Sequence, residues 1–167
     1  DKIREEAVFR DASYLGAGWK QMPSNLSTTR QGLRALDLLD DMRQWGLDKK
    51  LLAEVDVFQL DHTHELYAHM NAAYVAIPSL PSFDNYGAML DKLRAGAFFN
   101  TTGEVLLPEV AARRGAGGKV TVQAKLQRTF PLDKAWLIYG TPDGVRREPH
   151  DLSANPAGLQ LETLGAA

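Results

Sequence analysis

The apolar residues of the chain follow a helical period in the first half and an alternating period in the second. In the first half they recur at helical spacing as Leu33, Leu36, Leu39, Met42 and Trp45. The serine and threonine residues at 27–29 can cap this segment, and Gly46 can end it. The pattern predicts an amphipathic helix of about four turns.

The rest of the first half predicts further helices and one strand. Residues 47–54 are expected to add a helical turn, 55–60 to form a short strand, and 65–74 to form a helix. After a loop with two prolines at 77–85, another helix is predicted from Tyr86 to Gly96. A succession of helix, strand and helix is typical of α/β proteins, in which sites collect at the carboxyl ends of strands.

The second half shows strand periodicity instead. Residues 119–130 alternate between apolar and polar side chains, which predicts a strand that is buried on one face. Shorter strands are predicted at 105–110, 134–139, 145–148 and 159–164, with turns at 115–118 and 141–144. Pro108 places the first of them at a sheet edge. The predicted fold is α+β: a helix-rich, partial α/β part at 1–96 and a small antiparallel β-sandwich at 97–167.

Composition narrows the classes of function. The chain has 167 residues, a net charge of −2 and no cluster of Lys or Arg, so neither nucleic acid nor a membrane surface is expected as a partner. The absence of cysteine excludes disulfides and thiolate chemistry. No apolar run is long enough to span a membrane. Because the sequence starts at Asp1 rather than Met, we expect a processed or truncated chain.

The main candidate for chemistry is the segment LDHTHE. His62 and His64 follow the predicted strand at i and i+2, so both imidazoles can point at one ion. Asp61 or Glu65 can add an oxygen ligand or orient an imidazole. These residue types predict a divalent metal such as Zn, Mn or Fe. A polar strand-to-helix turn, with Asp61 as the helix cap, explains the same residues without a metal.

Other polar residues are weaker candidates. His69 lies five residues after His64, which is not the spacing of a zincin motif, but it shares a helix face with Glu65. Asn100 and Thr101 stand at a strand end and are candidates for substrate binding, together with His69; turn formation explains them equally well. His150 is expected at the surface.

The tryptophans are assigned to the core rather than to a ligand platform. This expectation covers Trp19, Trp45 and Trp136, because two of them fall on predicted apolar faces.

The segment LRAGAFFNTTGEVLLPEV resembles a known family. It is similar to the C-terminal region of PHP-type metallohydrolases of the CehA/McbA (carbaryl-hydrolase-like) class, in which a helix ending in LRAG leads to FxTTG or FxTNG and a small β-sandwich. The stretch VTVQAKLQRTFPLDKAWLIYGTPDGV also resembles the closing strands of such proteins. The resemblance spans roughly residues 55–153.

This resemblance implies a hydrolase of ester, carbamate or phosphoester bonds in small molecules. It implies metals held by His and Asp or Glu at the carboxyl ends of a distorted barrel, with His62 and His64 as candidate ligands, and a secreted or periplasmic location. The family's GSDxH-like motif is absent, since IPSLP stands at 77–81. The resemblance also implies that residues 1–96 are a partial, PHP-barrel-like part. A complete barrel usually takes more than about 200 residues, so the chain is expected to be a C-terminal fragment.

Two functions therefore remain open. One is a metal-dependent hydrolase, or the C-terminal part of one. The other is a non-catalytic module, a β-sandwich with a helical cap, that binds a partner or the remainder of a larger enzyme. A homo-oligomer or the remainder of a larger chain is the expected protein partner.

Overall fold

The structure is a computed structural model, and it describes residues 2–19, 31–53, 71–154 and 156–163. Contacts divide the chain into two compact units, Asp1–Gly103 and Glu104–Ala167. The sequence placed the division after residue 96. Residues 98–101 form a strand that pairs within the first unit.

The first unit begins with two single-turn helices, α1 (Lys2–Glu5) and α2 (Ala7–Arg10), followed by a strand–helix–strand arrangement. Strands β1 (Gly16–Trp19) and β2 (Lys50–Ala53) pair in parallel, and helix α3 (Gln31–Gln44) comes between them and packs against both. Parallel strands need such a crossover because no tight turn can join them.

Helix α3 confirms the helical period of the sequence. Leu39 and Met42, one turn apart, are buried at 6% and 1% exposure. Gly46 follows the helix with a φ of 80°, a conformation that favours glycine and ends the helix as predicted.

The rest of the first unit is an antiparallel strand pair with one helix between its strands. β3 (Ala72–Val75) pairs with β4 (Phe98–Thr101), and helix α4 (Gly87–Arg94) lies between them in sequence and against β3 in space. Strand β2 lies beside both β3 and β4. Gly96, with a φ of 68°, follows α4 where the sequence predicted its end.

Two predictions of helix are wrong. Residues 50–53 form β2 rather than a helical turn, and residues 72–74 belong to β3 rather than to the end of a helix. In both places pairing with another strand outweighs a local preference for helix, which is a weak determinant over four residues. The predicted strand at 55–60 and the first part of the predicted helix at 65–74 lie outside the described residues.

The second unit contains antiparallel sheets. Its strands are β5 (Val105–Arg114), β6 (Val120–Arg128), β7 (Lys134–Thr141), β8 (Gly144–Asp151) and β9 (Gly158–Glu162). One sheet has the order β5–β6–β9, and β7 and β8 form a hairpin. The prediction of an edge position for the first strand is confirmed within the described part of the chain, and its register shifts beside Pro108.

Burial in the second unit follows strand alternation, with two exceptions to the predicted core. Leu126 of β6 is buried, whereas its neighbours Lys125 and Gln127 are exposed. Phe130 and Trp136, predicted to be buried, are 51% and 57% exposed. Phe130 lies beyond the end of β6, and Trp136 lies on the outward face of β7, so neither side chain is directed into the core.

The described residues thus form an α+β protein, as predicted at that level. None of the helices in the described ranges has the length and apolar character required to cross a membrane.

Candidate functional site

The parallel strands β1 and β2 end side by side at Trp19 and Ala53. The chain continues from Ala53 toward the segment that contains Asp61, His62 and His64. Ligand sites in α/β structures collect at the carboxyl ends of parallel strands. The polar groups around β2 are therefore the part of the described structure that bears most directly on function.

Lys49, just before β2, and Lys50, its first residue, are buried, and the ammonium group of each has a partner. The ammonium of Lys49 donates to the carbonyl oxygens of Asp11 and Tyr14, at 2.8 and 2.7 Å, and lies 5.2 Å from the centre of the Tyr14 ring. The ammonium of Lys50 pairs with Asp48 at 2.6 Å. The contacts of Lys49 tie the N-terminal segment to the start of β2, and those of Lys50 stay within the segment that leads into β2.

Asn100 of β4 is different, because only one end of its amide is engaged. Its Nδ2 donates to the carbonyl oxygen of Leu51 in β2 at 2.7 Å. This bond fixes the amide orientation, since a carbonyl oxygen can receive only the NH₂ end. Its Oδ1 is buried and has no hydrogen-bond partner among the described residues.

Thr101, the next residue, points to the opposite face of the strand. It is buried at 9% exposure, and its hydroxyl accepts a hydrogen bond from the backbone N–H of Gly103 at 2.9 Å. This contact closes the turn after β4, where Gly103 has a φ of 102°. On the same face, the ring of Phe99 stacks on Tyr74 with centroids 5.3 Å apart.

The other predicted site residues, Asp61, His62, His64, Glu65 and His69, lie outside the described residues. Within the described ranges, no three His, Asp or Glu side chains come together as a metal site would require. Asn100 and Thr101 are the predicted site residues that the structure describes. They are neighbours in sequence, and their side chains lie on opposite faces of β4.

A second polar group, on the inner face of the β7–β8 hairpin, was missed in the sequence. The hydroxyl of Tyr139 donates to the carboxylate of Glu148 at 2.5 Å. His150, two residues along the same face of β8, is half-buried, and its Nε2 is buried without a partner in the described structure. The expectation of a surface position for His150 is therefore wrong. Extending the alternation of β8 past Glu148 would have placed His150 on the inner face.

Among the described residues, the carboxylates with a shifted pKa are exposed and make short-range hydrogen bonds. They are Asp11, Asp84 and Asp151. The backbone N–H of Ser13 lowers the pKa of Asp11, and that of Ser153 lowers the pKa of Asp151. These are side-chain-to-backbone turns with a structural role.

Comparisons with protein-family models, with curated proteins and with solved structures find no significant match for this chain.

Proposed function

We propose that this chain is a metal-dependent hydrolase, or the C-terminal part of one, that acts on ester, carbamate or phosphoester bonds. In this proposal His62 and His64 bind a divalent ion such as Zn, Mn or Fe, and Asp61 or Glu65 completes the ligand set. The first unit is the remnant of a PHP-barrel-like part, and the second is a small β-sandwich. A bound ion of this kind would activate water and polarise the scissile bond.

The observation that supports this proposal is the unpaired Oδ1 of Asn100. A buried polar oxygen without a partner destabilises a fold by about 1–3 kcal/mol, so each such atom calls for an explanation, of which a bound ion, water or substrate group is one. This oxygen is held in place by the bond from Nδ2 to Leu51, two residues before β2 ends. The segment with the paired histidines follows β2 in sequence, after Ala53.

An amide oxygen held in this way can receive an N–H or O–H of a substrate, or a metal-bound water. It can also bind a hard divalent cation directly, as carbonyl oxygens do. Both roles agree with the proposed chemistry. In this proposal Thr101 stabilises the turn after β4 and does not bind substrate, because its hydroxyl accepts the hydrogen bond from Gly103.

The ligand assignment is tested by elemental analysis of the purified untagged chain, alongside its intact mass. We expect roughly one equivalent of Zn, Mn or Fe, and loss of that metal in His62→Ala and His64→Ala without loss of the folded state. His150→Ala is the matched control, because it also removes one imidazole but leaves the proposed ligands intact. Metal stoichiometry that is unchanged in both ligand variants would refute the assignment.

The role of Asn100 is tested separately with Asn100→Ala. We expect hydrolysis of p-nitrophenyl esters, carbamates or phosphodiesters to fall about tenfold or more, as for loss of one positioned polar contact. Metal content distinguishes the two roles: it stays at the wild-type level if the oxygen binds substrate or water, and it falls if the oxygen binds the ion. Wild-type hydrolysis rates in Asn100→Ala would show that the oxygen does not contribute to the reaction.

The second candidate function is a non-catalytic module that binds a partner protein. The outward face of the β7–β8 hairpin favours it, since Trp136 and Ile138 are 57% and 46% exposed on that face beside Pro149. Exposed aromatic and aliphatic side chains that lie together are common at protein–protein interfaces. A double variant, Trp136→Ser with Ile138→Ser, should elute earlier from a hydrophobic-interaction column and remain folded. Unchanged retention would argue against this face as a binding surface.

A further inference from the structure

Strand β5 has one side free within the described part of the chain. It pairs with β6 alone, and residues 109–114 are exposed on both faces. Val110 is 56% exposed. A strand of ten residues at a sheet edge presents backbone N–H and C=O groups that can pair with another strand.

The hydrogen-bonding phase of the β5–β6 pair identifies which groups face this edge. The N–H of Gly115 donates to the carbonyl of Lys119 at 2.8 Å, so these two residues form a hydrogen-bonded pair. Such pairs recur at every second residue of an antiparallel ladder, which assigns Glu109, Ala111 and Arg113 to bonding with β6. The backbone groups of Val110 and Ala112 therefore point away from β6.

The pattern on the other side of β6 agrees with this phase. The N–H of Leu126, an even-numbered residue, donates to the carbonyl of Ala157 at 2.9 Å on the side of β9. The odd-numbered residues of β6 therefore form their backbone hydrogen bonds with β5. This agrees with the bond between Gly115 and Lys119.

The side chains of this segment are complementary to themselves when the strand is reversed. If Val110 is placed opposite Ala112 of a second copy, Ala111 lies opposite its own counterpart, and Glu109 lies opposite Arg113 of that copy. The two symmetric Val110–Ala112 pairs then exchange four backbone hydrogen bonds. Opposite charges at facing positions stabilise a strand pair, and a small residue suits the close contact at the two-fold axis.

Neighbouring registers are worse for identifiable reasons. A shift of two residues toward the N-terminus requires an N–H from Pro108, which proline lacks. A shift of two residues toward the C-terminus places Glu109 opposite Gly115 and separates both charge pairs. A shift of a single residue would put outward-facing backbone groups against groups that already bond to β6.

We propose that β5 pairs with β5 of a second copy across a two-fold axis at Ala111, joining two three-stranded sheets into one continuous antiparallel sheet. Glu109 also bonds to Lys125 within its own chain, but both side chains are about two-thirds exposed, so Glu109 can contact Arg113 of the second copy as well. The interface is small, and we expect a dimer that dissociates on dilution, with a Kd of about 1 μM to 1 mM.

The test is sedimentation velocity on the full chain across this concentration range. Glu109→Arg and Arg113→Glu each place like charges opposite each other at both symmetric positions, so each should weaken the dimer about tenfold. An equimolar mixture of the two single variants should regain dimer, because every facing pair in the mixed dimer is again Arg with Glu. The double variant Glu109→Arg with Arg113→Glu should also regain it.

The backbone hydrogen bonds of the proposed dimer are tested by Ala112→Pro, which should weaken the dimer. The substitution removes an N–H that faces the second copy and leaves the bonds to β6 in place. Circular dichroism at matched concentration verifies folding. A chain that stays monomeric up to about 1 mM, or a dimer that the single charge variants leave unchanged, overturns the proposal. The second outcome would assign dimer formation to another surface, such as the exposed face of the β7–β8 hairpin.

Discussion

Replacing Lys49 by methionine should destabilise the first unit far more than the same change at an exposed lysine. Lys49 is 6% exposed and makes two hydrogen bonds to backbone carbonyls, at 2.7 and 2.8 Å. Methionine keeps the length of the side chain and its apolar contacts but cannot donate. The change therefore isolates the contribution of the ammonium group.

The size of the effect follows from these contacts. A hydrogen bond that involves a charged group contributes about 1.5–3 kcal/mol, and a cation–π contact such as that with Tyr14 adds about 0.5–1 kcal/mol. Methionine also removes the desolvation penalty of the buried ammonium, which offsets part of the loss. We expect a net decrease of about 2–4 kcal/mol in the free energy of unfolding.

The assay is urea unfolding followed by tryptophan fluorescence in a Trp136→Phe background. The remaining tryptophans, Trp19 and Trp45, then report on the first unit alone. Lys92→Met is the matched control, because Lys92 is exposed on α4 of the same unit and should change stability by less than about 0.5 kcal/mol. Equal losses for Lys49→Met and Lys92→Met would refute the reasoning.

Two further predictions concern backbone packing and the acidic turns. Gly16→Ala should destabilise the β1–β2 pair by about 3 kcal/mol or more, because the added Cβ would overlap the backbone carbonyl of Lys50. Gly87→Ala lacks such a clash and should be near neutral in the same fluorescence assay. The pKa of Asp11 and Asp151 lies below the ordinary value of 3.8, so their turns add stability above that pH and lose it as the pH falls through the lower folded value. NMR titration midpoints at or above 3.8 would contradict this prediction.

The elements that the sequence predicted well are those specified by their own residues. Helix α3 has a full apolar stripe and a glycine stop, and β6 alternates over its whole length, so neither depends on a distant partner for its assignment. The β7–β8 hairpin was also predicted, because its turn at 141–144 includes Pro142, Asp143 and Gly144.

The elements that the sequence missed depend on partners far away in the chain. β2 and β3 are four residues long, and each becomes a strand by pairing with β1 or β4. The same limit applies to the candidate site. The sequence identified Asn100 as a polar residue at a strand end, but the bond from its amide to Leu51, 49 residues away, could not be inferred from composition or spacing.

Lys49, Lys50 and Asn100 differ in whether their buried polar groups have partners among the described residues. All three side chains have polar groups buried beside β2, in surroundings where an unpaired group is destabilising by about 1–3 kcal/mol. The ammonium groups of Lys49 and Lys50 have partners in the described structure, as expected of groups retained for stability. The Oδ1 of Asn100 has none there, although its Nδ2 is held firmly. A leucine or valine at position 100 would remove the unpaired oxygen, but it would also remove the bond from Nδ2 to the carbonyl oxygen of Leu51. The proposed hydrolase function would supply a partner for this oxygen, so Asn100 is the first residue to replace in a test of that proposal.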